Sequence, residues 1–255
     1  MNPPKIKFTD MPLSKEIDWI YGFLFQDKWG WGKYIIKKHP KIKKVLLLKT
    51  EKDQVKFLKE YIMEFRKNNR EAIEKRKDKY QKEWQKIENK YLGILPEIIG
   101  IDWPKNRKAI KAMMSIDPIC PRFLDDWSFS IFYNYKNINY AMEVIMHEIC
   151  HFLYFEKWKQ LYPDMNHKKF ESPYIEWHLS ELTAPIILND SRVQKLLKQK
   201  AVFYPEHEKI KIDNKTAPKY FSDLYKKTIE KENGFEVFLK ESYQAIQAEE
   251  RLFRI

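Results

Sequence analysis

From Val144 to Phe155 the chain reads as an almost unbroken apolar helix whose only polar members are His147, Glu148 and His151. Such a segment has to be buried, and three polar side chains on a buried helix cost free energy unless something satisfies them. On an α-helix His147 and His151 are four apart, and so lie about one turn apart on one face. Two imidazoles so placed can grip one metal ion, and the glutamate beside the first can act as a general base toward water at that ion. Cys150 stands about 100° round the helix from His151. It should face the core as a small apolar residue, and it is given no ligand role. Asn137 or Asn139 is expected to cap this helix, which then runs to about Leu161 and stops before Pro163.

A catalytic zinc ion takes three protein ligands and keeps a position open. The stretch Phe152 to Lys157 contains no histidine, which excludes a third histidine placed closely behind the first two. The next candidates lie on the following helix, which Ser172-Pro173 is expected to open. Glu181 ranks first, because two histidines and a glutamate with an open position form a hydrolytic set. Leu179, Leu182, Ile186 and Ile187 around it suggest a buried helix rather than a surface charge. His178 shares that face three residues earlier and is the alternative: a ligand, a hydrogen-bond donor to a ligand, or a substrate contact. Glu176 and Glu171 rank below both. Pro185 has no N–H for the carbonyl of Glu181 and crowds it, so the helix is expected to bend or end there.

These residues resemble the gluzincin metallopeptidases. His147, Glu148 and His151 match that family's His-Glu-x-x-His motif, and Glu181-Leu182-Thr183-Ala184 is similar to the glutamate element on its following helix. The resemblance covers the region from Asn139 to Leu188, and its first motif is the more specific. It implies a zinc ion held by His147, His151 and Glu181, with Glu148 as general base in peptide-bond hydrolysis. It also implies a zincin-like core, with a small sheet and an active-site helix crossed by a second, ligand-bearing helix. A similar layout occurs in small intracellular zinc peptidases that cut transcriptional regulators.

The rest of the chain supports an α+β fold, predominantly helical. Residues 51–92 carry apolar positions at helical spacing (Val55, Leu58, Ile62, Phe65, then Tyr80, Trp84, Ile87, Tyr91), with a break expected at Asn68-Asn69. Prolines at 96, 104, 118 and 121 exclude long helices between residues 93 and 137. Lys111 to Ile116, Ile119 to Leu124 and Trp127 to Tyr135 read as strands. The last alternates Phe129 and Ile131 against Ser128 and Ser130, and it could pair with an extended peptide at a cleft rim. Trp29-Gly30-Trp31-Gly32 reads as a turn, and Val45 to Leu48 as a short strand or the lead-in to a helix. Ser191 to Gln199, Tyr220 to Lys231 and Phe235 to Phe253 read as helices. The resulting division is a helical N-terminal region, 1–92, packed on a core formed by 93–255, or one continuous domain.

The net charge of +12 comes from 48 Lys+Arg against 36 Asp+Glu, an excess mostly of lysine. That charge fits a nucleic-acid or anionic-surface partner, but no nucleic-acid fold motif accompanies it. No apolar run is long enough to span a bilayer, and the N-terminus lacks an apolar leader, so no membrane partner is expected. Two cysteines make no disulfide framework, which points to a cytoplasmic protein. The expected function is zinc-dependent hydrolysis of a peptide or protein substrate. The alternatives are an inactive metallopeptidase-like binding or regulatory protein and, behind it, a nucleic-acid-associated one. Tyr204, His207 and Tyr220 join His178 as candidate stabilisers of negative charge on the substrate.

Overall fold

The computed structural model describes residues 3–27 and 29–253. In chain order the elements begin with β1 (Lys5–Asp10), α1 (Leu13–Phe25), α2 (Gly32–Lys38), a 3₁₀ turn over Pro40–Leu47, α3 (Glu51–Asn68), α4 (Arg70–Gln85) and α5 (Glu88–Ile99). There follow β2 (Ala109–Ser115), β3 (Arg122–Phe123), β4 (Ser128–Phe132), α6 (Ile138–Leu161), a 3₁₀ turn over His167–Phe170 and α7 (Ile175–Leu188). The remainder holds the short helices α8 (Ser191–Gln194) and α9 (Pro205–Lys209), strands β5 (Lys211–Ile212) and β6 (Lys215–Thr216), then α10 (Ala217–Thr228), α11 (Gly234–Ala248) and a 3₁₀ turn over Glu250–Phe253. The fold is α+β and mostly helical, 62% of it helix, with a small mixed sheet. Among the described residues no helix is long and apolar enough to cross a membrane.

Two compact units interleave along the chain. One comprises Lys5–Lys86 and Ala109–Val144; the other is chiefly Ile87–Lys108 and Ile145–Ile255. The sequence reading divides the chain once, near residue 92. The interleaving arises because β1 pairs with β2 across about a hundred residues, a non-local contact that local periodicity does not report.

In the first unit the sheet has the order β1-β2-β4-β3; β1, β2 and β4 run parallel and β3 runs antiparallel to β4. Phe8 pairs with Ala112, and Ala112 in turn with Phe129. β4 is buried along its whole length. The alternation of Phe129 and Ile131 against Ser128 and Ser130 therefore does not mark one wet face, because parallel strands are normally covered on both sides. Nor is β4 an open edge for an extended peptide. It stands between β2 and β3, and Ser130 N–H donates to the Pro121 carbonyl at 2.8 Å. Of Ile119 to Leu124 only Arg122–Phe123 is strand. The expected turn at Trp29 to Gly32 is present, with Gly30 in the left-handed region. α3 starts at Thr50, whose hydroxyl accepts from Asp53 N–H at 3.1 Å, and it ends where expected, at Asn68. Val45 to Leu47 closes the 3₁₀ turn rather than forming a strand.

In the second unit α5 continues through Gly93 and Pro96 to Ile99, a short way into the stretch where the prolines were expected to exclude long helices. Pro96 cannot bond the carbonyl of Leu92, four residues back. The buried indole of Trp103 donates to that carbonyl at 2.8 Å, so the break in the ladder leaves no orphan. Tyr91, also on α5, donates its hydroxyl to the Met146 carbonyl at 2.6 Å and so anchors α6 one residue before His147. α6 begins as anticipated: Asn137 Oδ1 accepts from Asn139 N–H at 2.9 Å.

α7 begins at Ile175, after Tyr174, rather than at Ser172-Pro173, and of the two outcomes expected at Pro185, a bend or an end, it does not end there but runs three residues further, to Leu188. A proline inside a helix costs about 3 kcal/mol. Full burial of an Ile or Leu side chain contributes about 1.5–3 kcal/mol each, and Ile186, Ile187 and Leu188 are all buried in this last turn. Packing outweighs the proline. α7 is covered by α10 and α11. Gly234 opens α11 where a Cβ would run into the carbonyl oxygens of Thr228 and Ile229, which accounts for glycine at the corner of that hairpin. Of the helix expected over Ser191 to Gln199, only Ser191–Gln194 (α8) is helical.

Candidate metal centre

α6 and α7 together carry one cluster. His147 and His151 stand one turn apart on α6 with ring centroids 4.7 Å apart. Glu181 meets both from α7: its Oε2 lies 3.0 Å from His147 Nε2, and its Oε1 lies 3.4 Å from His151 Nε2. One ligand atom from each of the three falls within 4.8 Å of the others. Among the described residues this is the one group of three or more His, Cys, Asp or Glu side chains gathered in this way.

The donor set fits a metal ion. Ligands at about 2.0–2.2 Å from a tetrahedral ion are about 3.3–3.6 Å from one another, close to the 3.0 and 3.4 Å from Glu181 to the two imidazoles. Burial points the same way. His151 is 1% exposed and Glu181 3%, and an ionised carboxylate taken that far out of water carries a cost that a cation beside it would offset. His147, at 18%, is the member nearest solvent. His147, His151 and Glu181 can therefore hold a metal ion.

Glu148 is buried beside the ligands on α6 but is not one of the three. Cys150 is also outside the group. Burial pushes its thiol up, and the carboxylates of Glu148 and Glu181 push it further. It is a neutral core residue, as its position on the helix implies.

The structure separates His178 from the three. Its Nδ1 lies 3.0 Å from Nε2 of His207, with both rings fully buried. Glu176 is taken up by Tyr243, whose hydroxyl donates to Glu176 Oε1 at 2.8 Å, while Glu171 is exposed. Tyr204 lies against this histidine pair, its ring 5.8 Å from His207 and nearly parallel to Trp177. The His178–His207 pairing and the Tyr91 and Tyr243 hydrogen bonds carry no local signature in the sequence.

The buried pair has a pH signature. Burial, and then the neighbouring His207 ring, hold His178 down to about 3, against weaker opposition from Glu181 and the backbone of Phe253. Burial holds His207 down to about 4, with Glu181 and Glu206 opposing. The unfolded chain binds a proton at each residue once the pH falls below the ordinary value of 6.5. The folded chain does not until about 3 at His178 and about 4 at His207, so in that window the unfolded state holds more protons and stability decreases as the pH is lowered. The slope is at most about 1.4 kcal/mol per pH unit for each group. Urea midpoints of metal-stripped protein are expected to drop through that window, and His207→Gln to flatten the drop. An unchanged slope in the variant would contradict a neutral buried pair.

No protein-family model, curated protein or solved structure matches this chain.

Proposed function

We propose that this chain is a zinc-dependent metallopeptidase of the gluzincin type, with a zincin-like core, acting on a peptide or protein substrate. The observation that carries the reading is the approach of Glu181 to both histidines of a His-Glu-x-x-His helix, with Glu148 beside them and outside the ligand group. Two imidazoles and one carboxylate suit zinc, and three ligands leave a position open. A zinc ion held there would supply Lewis acidity toward a peptide carbonyl and toward water. The chain's own part is proton handling. Glu148 takes a proton from the attacking water on its carboxylate and returns it to the nitrogen of the departing amine. Glu181 contributes the negative charge that two neutral histidines lack, and the burial of α7 keeps it in place.

Metal analysis of the purified protein tests this directly. Wild type is expected to carry stoichiometric zinc, and His147→Ala and Glu181→Ala to lose it while keeping their helical content. A chain that takes up no zinc even when zinc is supplied would end the proposal. Tight zinc together with no turnover across a peptide library would replace it with a metal-holding binding module.

A further inference from the structure

Between Asp27 and Glu51 the chain has no acidic residue, no arginine and eight lysines. Elsewhere lysines alternate with carboxylates and form ion pairs; here the six from Lys33 to Lys44 have no acidic neighbour in sequence. The 3₁₀ turn Pro40–Leu47 organises the second half of this stretch. Three residues per turn put every third side chain on one edge. His39, Ile42 and Val45 form the buried edge. The other two edges read Pro40-Lys43-Leu46 and Lys41-Lys44-Leu47, and all six of these residues are exposed. Both outer edges therefore end in leucine behind lysine. Leu47 is 82% exposed and Leu46 is 42% exposed, although the run Val45 to Leu48 has the composition of a core segment. On α2, immediately before, Tyr34 is 48% exposed among Lys33, Lys37 and Lys38.

We infer that this face, from α2 through the 3₁₀ turn, docks the protein on an anionic lipid surface. Lysine clusters of this size are drawn to acidic headgroups, and apolar side chains among them enter the boundary between headgroups and acyl chains. Exposed tyrosine is at home at the same depth. A nucleic-acid backbone would use the lysines but give the leucines nothing to bury against, and no arginine is present for base or bidentate phosphate recognition. An exposed leucine pair that follows lysines on both outer edges of the turn matches a fluid, uniformly charged surface. Such a protein lies on the membrane without crossing it, a partner that the absence of a long apolar run does not speak to.

Vesicle co-sedimentation of the full chain tests the inference. Phosphatidylcholine vesicles containing phosphatidylserine are expected to bind about tenfold or more tightly than phosphatidylcholine alone, with binding weakened by salt. Lys43→Glu/Lys44→Glu should abolish the difference. Leu46→Ser/Leu47→Ser keeps every charge, alters only exposed side chains and should also lose most of the binding. Circular dichroism checks that both variants remain folded. The inference is overturned by an absence of vesicle binding at low salt, or by undiminished binding of the leucine variant. It is equally overturned if duplex DNA or polyglutamate binds as tightly as the anionic vesicles.

Discussion

Glu148→Gln is expected to hold zinc as wild type does and to lose about 10²–10⁴ in turnover of a peptide substrate, the usual contribution of a positioned general base. The two halves of that result come from different parts of the site. Metal binding rests on His147, His151 and Glu181, and Glu148 is not among the gathered atoms. Glutamine has nearly the same size and can still hydrogen-bond, so a side chain only 7% exposed can be exchanged without a cavity. What the amide cannot do is accept and return a proton. Zinc content and kcat measured on the same preparation separate the outcomes. Retained zinc with turnover near wild type would remove Glu148 from the chemistry. Loss of both would make it a structural or metal-holding residue.

How far the site can be read from sequence follows from the range of the forces involved. α6 is legible because its signals are local: an apolar run, an Asn137 cap acting over two residues, and histidines at a one-turn spacing. Glu181 is reachable from ligand chemistry alone, since two histidines need a third donor and the next buried helix offers one. The preference over His178 rests, in the sequence, on that same donor set. The structure adds what the sequence does not carry: His178 turns to His207, twenty-nine residues further along. At two prolines the helix runs further than local cost alone implies, for one reason. At Pro96 and Pro185 the local cost is real, but it is offset by groups far away in sequence: the Trp103 indole in one case and the burial of the last turn of α7 in the other. In the sheet, β2 and β4 are legible as strands, but β1 and the pairing are not: β1 joins β2 in parallel across about a hundred residues, a contact that no local pattern reports.

Arg66→Leu is expected to destabilise the unit built on the sheet by roughly 3–5 kcal/mol, the range for stranding one partner of a buried ion pair. Glu16, on α1, is fully buried. Its Oε1 accepts from Ser115 Oγ at 2.5 Å and from Ile116 N–H at 2.8 Å, and Arg66 Nη2 lies 2.6 Å from its Oε2. The same guanidinium nitrogen donates to the Met11 carbonyl at 2.6 Å, so one cation ties α3 to α1 and to the end of β1. Burial raises Glu16 above its ordinary value even with Arg66 opposing. Without Arg66 it rises further, so the folded variant takes up a proton that the unfolded chain still lacks. A raised carboxylate is favourable below the unfolded value of 4.5 and loses that advantage as the pH climbs through the folded value. The penalty for Arg66→Leu is therefore expected to be largest at neutral and alkaline pH and to shrink toward acid. Glu16→Gln in the same chain removes the stranded charge while keeping an acceptor for Ile116 N–H, and should restore much of the loss. Urea unfolding of the two single variants and the double variant, at one acid and one alkaline pH, completes the cycle. Additive losses that ignore pH would mean that Glu16 is already protonated in the wild-type fold and that Arg66 serves only the Met11 carbonyl.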